Sequence, residues 1–437
     1  MESHPPQASS NPDTTTGSSA TPLYVRILAA MALGVLTGIA IAEFGGAGAP
    51  QLANYLLDIG KLILRLLSMI ALPLIFTAIV HAVWSADVGP GTAKRLATVL
   101  LGNTLVAILI GLIVANVLQP GSQSIPLQPA GHTFPELDLW DELKKKIPES
   151  LFGALVPHWD SGRQDVIPAI LIAVGLGVAM RRVRSATSDG GTGIEAVGGL
   201  FEAFYQILLT ALGWIIELVP IAVFAIVAHV VARQGFAPFR SLLGFILAVM
   251  TALFLQACYY LIRVRLQSWV RPRDFLIGGS EALLTAFSTA SSAASAPLNY
   301  KCLRERIGLR EESAAMGALV GSNFNNDGTA LYEAMGPMYI AQALGQPIPL
   351  LRQPVVALMA VVASVGAPGI PEAGLVTMVL VFQAVGLPTE YVALLLPVDW
   401  FLDRCRTLVN LMGDMSVACV LDGRTPEHGV PPDRRGK

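Results

Sequence analysis

Runs of roughly twenty mainly apolar residues recur along this chain, the length an α-helix needs to cross the hydrocarbon of a bilayer. They fall at residues 23–42, 66–84, 96–118, 167–180, 200–232 and 242–262. Hydrophobic residues make up 53% of the 437 and charged residues 14%, against about 25% charged in a soluble domain. That leaves too little polar surface to clothe a soluble body of this size. The expectation is an all-α polytopic membrane protein.

A formal net charge of −2 provides no dense basic stripe, so nucleic acid is not an expected partner. Cys258, Cys302, Cys405 and Cys419 are scattered without a C-x-x-C pair, which fits neither a zinc site nor a secreted disulfide framework. Residues 1–21 are rich in Ser, Thr and Pro and read as a disordered tail. They lack the apolar core of a cleavable signal, so the first span is expected to direct insertion. Residues 119–150, with Lys144, Lys145 and Lys146, form a polar loop, and a short polar tail follows Asp422.

Beyond Pro272 the pattern changes. Residues 275–298 and 355–385 are apolar but interrupted, whereas 314–343 and 391–421 read as long single helices. Basic residues mark cytoplasmic connections. Arg26, Lys94, Arg95, Arg181, Arg182, Arg184, Arg263, Arg265, Arg271, Arg273, Lys301, Arg304, Arg306 and Arg310 punctuate alternate ones, and Arg424, Arg434, Arg435 and Lys437 close the chain. Both termini then lie in the cytoplasm of a multi-pass cell-membrane protein, provided that 275–298 and 355–385 each enter and leave on one side. Lys144–Lys146 would sit outside, against the trend.

Both re-entrant segments carry helix breakers. Residues 287–298 read FSTASSAASAPL and residues 363–374 read ASVGAPGIPEAG. Gly and Pro interrupt a helix, and non-helical backbone at membrane depth survives only inside protein or against a cavity. A pair of interrupted segments, each followed by a polar helix, is the best sequence pointer to a transporter's binding site. Small residues that merely let helices pack closely are the blander reading, and the doubled Pro and Gly of the second segment argue against it.

The last helix carries Asp399, Asp403, Arg406, Asn410 and Asp414 at steps of four, three, four and four. At about 100° per residue these share one stripe, with Thr407 beside them and Arg404 projecting off its centre. Charge in a span is costly and marks function by default, a structural ion-pair network being the alternative. The preceding helix contains GSNFNNDGTALYE, with Asn323, Asn325, Asn326, Asp327, Thr329 and Glu333. Asn-Asp-Gly is poor helix material, so this helix should unwind and expose carbonyls. Carboxylate, amide and carbonyl oxygens together suit a hard cation such as sodium. Asn103 and Thr104 add an oxygen-bearing pair in the third span. His81, His132, His158 and His229 show no ligand spacing.

These motifs give the chain a resemblance. The serine-rich segment at Ser291 and Ser292, N-x-D-G-T at 325–329, ASVGAPGIP at 363–371 and D-x-x-R-T-x-x-N-x-x-x-D at 403–414 together resemble the dicarboxylate/amino acid:cation symporter family, the glutamate and aspartate transporters. The likeness runs from about residue 23 to 422. It implies eight transmembrane helices plus two re-entrant helical hairpins, assembled as a homotrimer in the lipid bilayer. A scaffold would comprise 22–95 and 121–235, and a transport domain moving across the membrane 96–120 and 236–422, with 423–437 a cytoplasmic tail.

Carried over by position, the resemblance assigns the substrate α-ammonium to Asp403 and its α-carboxylate to Asn410. Ser291, Ser292, Thr329, Thr407 and the hairpin tips, including Gly369 and Ile370, complete that site. Arg406 should hold the side-chain carboxylate, which a guanidinium grips bidentately. Family members for neutral amino acids lack the arginine and those for C4-dicarboxylates lack the aspartate, so the pair implies glutamate or aspartate. For Na+, Asp414, Asn325 and the carbonyls of Gly321 and Asn410 match one site; Asp327, Asn325, Thr104 and Asn103 match a second. Backbone near Ser322, Ser364, Val365 and Ala367 matches a third. Asn326 stands where the family usually carries methionine. Ala290 replaces the first-hairpin arginine of archaeal members, and Arg404 stands where animal members carry theirs, as a charge partner. Glu333 matches the proton-carrying glutamate of animal members, so H+ is a possible second coupling ion. Glu372 reads as a rim residue.

The expected activity is secondary active uptake of acidic amino acids, coupled to Na+, H+ or both. A C4-dicarboxylate or neutral amino acid symporter of the same fold is the alternative, with potassium countertransport open. An intramembrane aspartyl protease built from Asp327 and Asp403 would need a G-x-G-D-type aspartate, and neither residue sits in one. Anion conduction is a third possibility, though two hairpin gates favour alternating access over an open pore.

Overall fold

A computed structural model of the chain describes residues 23–85, 90–122, 166–186, 192–235, 237–367 and 373–425. Among these, every regular element is helical. Stretches long and apolar enough to cross a membrane lie in α1 (Leu23–Phe44), α2 (Ala49–Ser85), α3 (Pro90–Leu118), α5 (Thr192–Ile216) and α7 (Ala237–Gln267). Between them run α4 (Val166–Ala186) and α6 (Val219–Gln234). The tail expected over 1–21, the part of the polar loop from 123 to 150 and residues 426–437 lie outside the described residues.

Two spans differ from expectation for physical reasons. Helix α2 has 37 residues, about 55 Å at 1.5 Å per residue, against a hydrocarbon core of about 30 Å. Only its apolar second half was expected, because Asp58, Lys61 and Arg65 interrupt the first. The single span expected over 200–232 is two helices. Helix α5 stops at Ile216 and α6 restarts at Val219, with Pro220 in the first turn, where its missing N–H costs nothing.

The first interrupted segment is a helical hairpin, α8 (Pro272–Thr289) and α9 (Ser292–Lys301). Its turn falls at Ala290, in the left-handed conformation at φ 52°, followed by extended Ser291. The Ser291 hydroxyl accepts from the Ala294 amide at 3.1 Å and caps α9. Pro297 lies inside α9 rather than ending it. The expected long helix over 314–343 is broken, as its Asn-Asp-Gly required. Helix α10 (Glu311–Ala315) passes through a wide turn, Met316–Val320, into α11 (Gly321–Phe324). After Asn325 and Asn326, both off helical geometry, α12 (Asp327–Ala343) begins. The second interrupted segment gives α13 (Gln353–Gly366) and α14 (Ala373–Val385), and α15 (Leu396–Asp422) closes the fold. Residues 368–372, which include Pro368, Gly369, Ile370, Pro371 and Glu372, lie outside the described residues.

Packing sorts the helices into two groups. In one, α1 lies along α6, and α2 against α4, α5 and α6; in the other, α12 packs on α3, α13 and α15, and α15 on α7 and α8. The groups meet where α13 and α14 contact α2. Outward faces are apolar: Leu101, Leu105, Leu109, Ile113 and Val117 form an exposed stripe at four-residue spacing on α3. Water would penalise such a stripe, and a bilayer accepts it. Helix α12 is the opposite case, with all 17 residues buried.

The α1–α6 contact depends on Gly34 and Gly38, a small-x-x-x-small pair of the kind that lets membrane helices approach. A Cβ on Gly38 would lie 2.6 Å from Val231 Cβ and 2.8 Å from the Ala228 carbonyl oxygen. Gly38→Leu is expected to destabilise the protein by about 1–3 kcal/mol. It should lower the unfolding temperature in detergent, while Leu36→Ala, at an exposed position, leaves that temperature nearly unchanged.

Candidate functional site

Helix α15 enters this site by its buried stripe. Asp399, Asp403, Arg406, Thr407, Asn410 and Asp414 are all buried, as the four-three-four-four spacing required. Arg406 is fully enclosed, at 0% exposure. Its Nη2 donates to Asp403 Oδ1 at 2.8 Å and lies 3.1 Å from Asp399 Oδ1. The guanidinium sits 4.0 Å from the centre of the Tyr332 ring, a cation–π contact strengthened by desolvation. Among the described residues, Nε and Nη1 have no hydrogen-bond partner. A guanidinium cannot neutralise itself, so these two nitrogens are donors waiting for an acceptor.

Gly374, on α14, shapes the same spot. A Cβ there would stand 3.0 Å from Arg406 Nη1 and 3.1 Å from Nη2. Any side chain would intrude on the face of the guanidinium. Glycine was visible here in the sequence, but only contact with Arg406 gives it this role.

The break before α12 places a second set of groups around Asn410. Its Oδ1 accepts from the Gly328 amide at 2.7 Å, and its Nδ2 donates to Thr329 Oγ1 at 3.3 Å and Asn326 Oδ1 at 3.4 Å. Gly328 permits this approach, since its Cβ would fall 2.8 Å from the Arg406 carbonyl. Arg406, Thr407, Thr329 and Asn410 are thereby brought together between α12 and α15. Ser291 and Ser292 are buried at the tip of the first hairpin. Gly369 and Ile370 lie outside the described residues. Arg404 lies over Trp400, 5.5 Å from the ring centre, and donates to the Trp400 carbonyl at 2.8 Å.

The oxygens expected to hold cations fall into three places. In the first, Asn325 Nδ2 donates to the Asn410 carbonyl at 2.9 Å and to Asp414 Oδ1 at 3.0 Å. Gly321 lies alongside and its carbonyl accepts the Asn325 amide at 2.7 Å. Asn325 Oδ1 and Asp414 Oδ2 are buried without a hydrogen-bond partner among the described residues. Two orphaned oxygens, one of them a carboxyl oxygen, are costly in a dry interior, and they are the donor set that a hard cation takes. This place fits Na+.

In the second, both oxygens of Asp327 are already engaged. Thr104 Oγ1 donates to Oδ1 at 2.6 Å and Tyr260 Oη to Oδ2 at 2.5 Å. Asn103 Oδ1 accepts from Arg263 Nη1, which also reaches Tyr259 Oη at 3.2 Å. Sequence reasoning missed Tyr260 and read Arg263 as one of a series of cytoplasmic loop charges. It lies within α7, and an arginine three residues after a buried tyrosine was the available signal.

In the third, Asn326 Nδ2 donates to the carbonyls of Ser364 at 3.0 Å and Ala367 at 3.2 Å. Ser364, Val365 and Ala367 do lie together at the end of α13. Ser322 is buried in α11, its hydroxyl donating to Leu319 at 3.2 Å. Neither this place nor the second offers a set of unengaged oxygens like the first.

Glu333 is fully buried on α12, six residues after Asp327, and among the described residues neither carboxyl oxygen has a well-formed hydrogen bond. The Thr377 hydroxyl and the Arg406 charge act on it. Among the described residues, no group of three or more His, Cys, Asp or Glu side chains has the arrangement of a metal centre. The oxygens that fit a cation are amide, carbonyl and single-carboxylate groups instead.

Comparison with known proteins agrees with this architecture. The model of the sodium:dicarboxylate symporter family matches residues 23–424. The mouse excitatory amino acid transporter 3 is 29% identical, over 90% of this chain and 83% of its own length. Mouse excitatory amino acid transporter 4 is 29% identical, over 83% of this chain and 76% of its own. Human neutral amino acid transporter B(0) is 28% identical, over 94% of this chain and 82% of its own. With its helical breaks, buried polar stripe and near full-length match, the chain belongs to the sodium:dicarboxylate symporter family, a family of membrane transporters rather than enzymes.

Proposed function

We propose that this protein is a sodium-coupled symporter that takes up acidic amino acids, glutamate or aspartate. The observation that carries the reading is Arg406, sealed from solvent beside Asp399 and Asp403 with two guanidinium nitrogens unpaired. A dicarboxylic amino acid supplies what those groups lack. Its side-chain carboxylate takes Nε and Nη1 of Arg406, and its ammonium takes Asp403. The α-carboxylate takes Asn410, with Thr329, Thr407 and the tip serines Ser291 and Ser292 around it. Gly369 and Ile370 belong to the same site on the family resemblance.

Movement in this reading is an elevator. The group built on α3, α7, the two hairpins, α12 and α15 carries the site, and α1, α2, α4, α5 and α6 form the scaffold. The division follows the packing, in which the two groups meet mainly through α13 and α14 against α2. The chain acts as a homotrimer in the cell membrane, with both termini in the cytoplasm. Na+ is the coupling ion held at Asn325 and Asp414, and Glu333 is the candidate carrier for H+.

Purified protein in proteoliposomes should accumulate radiolabelled glutamate and aspartate under an inward sodium gradient. Arg406→Cys should reduce that uptake by at least about thirtyfold, since losing one partner of a buried charge pair costs about 2–5 kcal/mol. Serine or alanine should then enter in their place. Undiminished acidic uptake by the variant would remove Arg406 from the substrate site.

Proton coupling has its own test. With equal sodium on both sides of the membrane and an imposed inward pH gradient, Glu333→Gln should take up labelled substrate more slowly than wild type. Equal proton-driven flux in the two proteins would exclude Glu333 as the carrier.

A further inference from the structure

The chain donates to oxygens at all three places that gather cation-type oxygens. At the first, Asn325 Nδ2 donates to the Asn410 carbonyl and Asp414 Oδ1. The places differ in whether buried oxygens are left over. At Asn325 and Asp414, Oδ1 of one and Oδ2 of the other stay buried and unpaired among the described residues. At the end of α13 the Asn326 amide points its N–H groups at the Ser364 and Ala367 carbonyls, at 3.0 and 3.2 Å. Those carbonyls lie at a helix C-terminus, where the macrodipole is negative, and the Ser364 carbonyl also accepts the Ala367 amide at 3.2 Å. Such a position favours a cation, and here an amide nitrogen fills the need. Asn326 is itself held in place, being 4% exposed with its Oδ1 facing Asn410 Nδ2 at 3.4 Å.

At Asp327 the donor is charged. The Arg263 guanidinium reaches from α7 to Asn103 Oδ1 and Tyr259 Oη, and its charge acts on Asp327. Thr104 and Tyr260 occupy both Asp327 oxygens with hydroxyl donors. A dehydrated cation and an N–H or O–H group compete for the same oxygen lone pairs, and the tethered group pays no translational entropy to be there.

We propose that Asn326 and Arg263 are internal substitutes for two coupling sodium ions, so that substrate binding is linked to a single sodium ion, held at Asn325 and Asp414. The proposal rests on the sodium-symport reading above and deepens it by fixing how many ions accompany each substrate. The two substitutes act differently. Arg263 brings a permanent positive charge that a sodium ion would otherwise deliver. Asn326 brings none, and instead ties the broken backbone before α12 to the end of α13 whether or not an ion is present.

Linkage provides the test, because each ion taken up with substrate multiplies the affinity's dependence on ion concentration. The experiment is titration calorimetry of aspartate into the full chain in detergent, with choline replacing sodium at constant ionic strength. Below saturation, a tenfold drop in sodium should weaken binding about tenfold in wild type. In Asn326→Met, which removes the amide donors, and in Arg263→Leu, the same drop should weaken it about a hundredfold. A wild-type dependence of about a hundredfold or more, or none, would overturn the proposal. So would two folded variants that both keep the wild-type dependence. If either variant fails to fold, the wild-type dependence decides alone. Equilibrium dialysis with radiolabelled sodium and no amino acid separates this idea from the substrate reading. It should count about one ion per chain even if aspartate gives no heat, and a count of two or more, or none, would overturn the proposal.

Discussion

A guanidinium with no exposure to solvent dictates much of what surrounds it. Arg406 cannot shed its proton, and an unpaired charge of this kind in a dry interior costs several kcal/mol at the least. Asp399 and Asp403 must therefore stand in ion-pair range, and Tyr332 offers its ring face below. One consequence is a surplus of carboxylate over cation in the cluster. A ligand bearing an ammonium relieves that surplus, and a ligand bearing a carboxylate satisfies the guanidinium nitrogens left without partners. An amino acid with an acidic side chain does both.

The backbone defects exist for related reasons. A continuous helix uses up its own N–H and C=O groups, so it can offer a ligand only side chains. Breaking the chain at Asn325 and Asn326 frees backbone groups within the membrane, and Asn410 is placed to use one of them, the Gly328 amide. The break is tolerated because α12 is buried along its whole length, away from lipid that could not satisfy it. Site and fold are thus coupled. The residues that disrupt α12's start are the residues that line the site, and the surrounding helices shield the disruption.

Much of this was legible in the sequence because charge in an apolar context is conspicuous. The stripe from Asp399 to Asp414 follows from helical spacing alone, and the break at Asn325–Asn326 follows from Asn-Asp-Gly. The hairpin turn at Ala290 lies within the serine-rich run that marked it. Other features were hidden by the same logic. The charged first half of α2 was missed because Asp58, Lys61 and Arg65 mimic a loop, although an over-long helix can carry them beyond the hydrocarbon. Glu217 and Leu218 divide α5 from α6 with no glycine to announce the break, leaving only Pro220. Arg263 resembled a loop charge because one-dimensional counting cannot show that Asn103 lies within its reach.

Arg263 also bears on how an ion gradient would act on this chain. A coupling ion stabilises a transporter's substrate-bound state only if it leaves a cost behind when absent. On the single-sodium proposal, the donors at Asp327 and at the end of α13 remove that cost, and those places would not report on the ion gradient. On the same proposal, the cost persists at Asn325 Oδ1 and Asp414 Oδ2, left without partners among the described residues, and there the gradient would retain its hold. The energetic drive for uptake is therefore set less by how many oxygens the fold gathers than by how many of them it declines to pair.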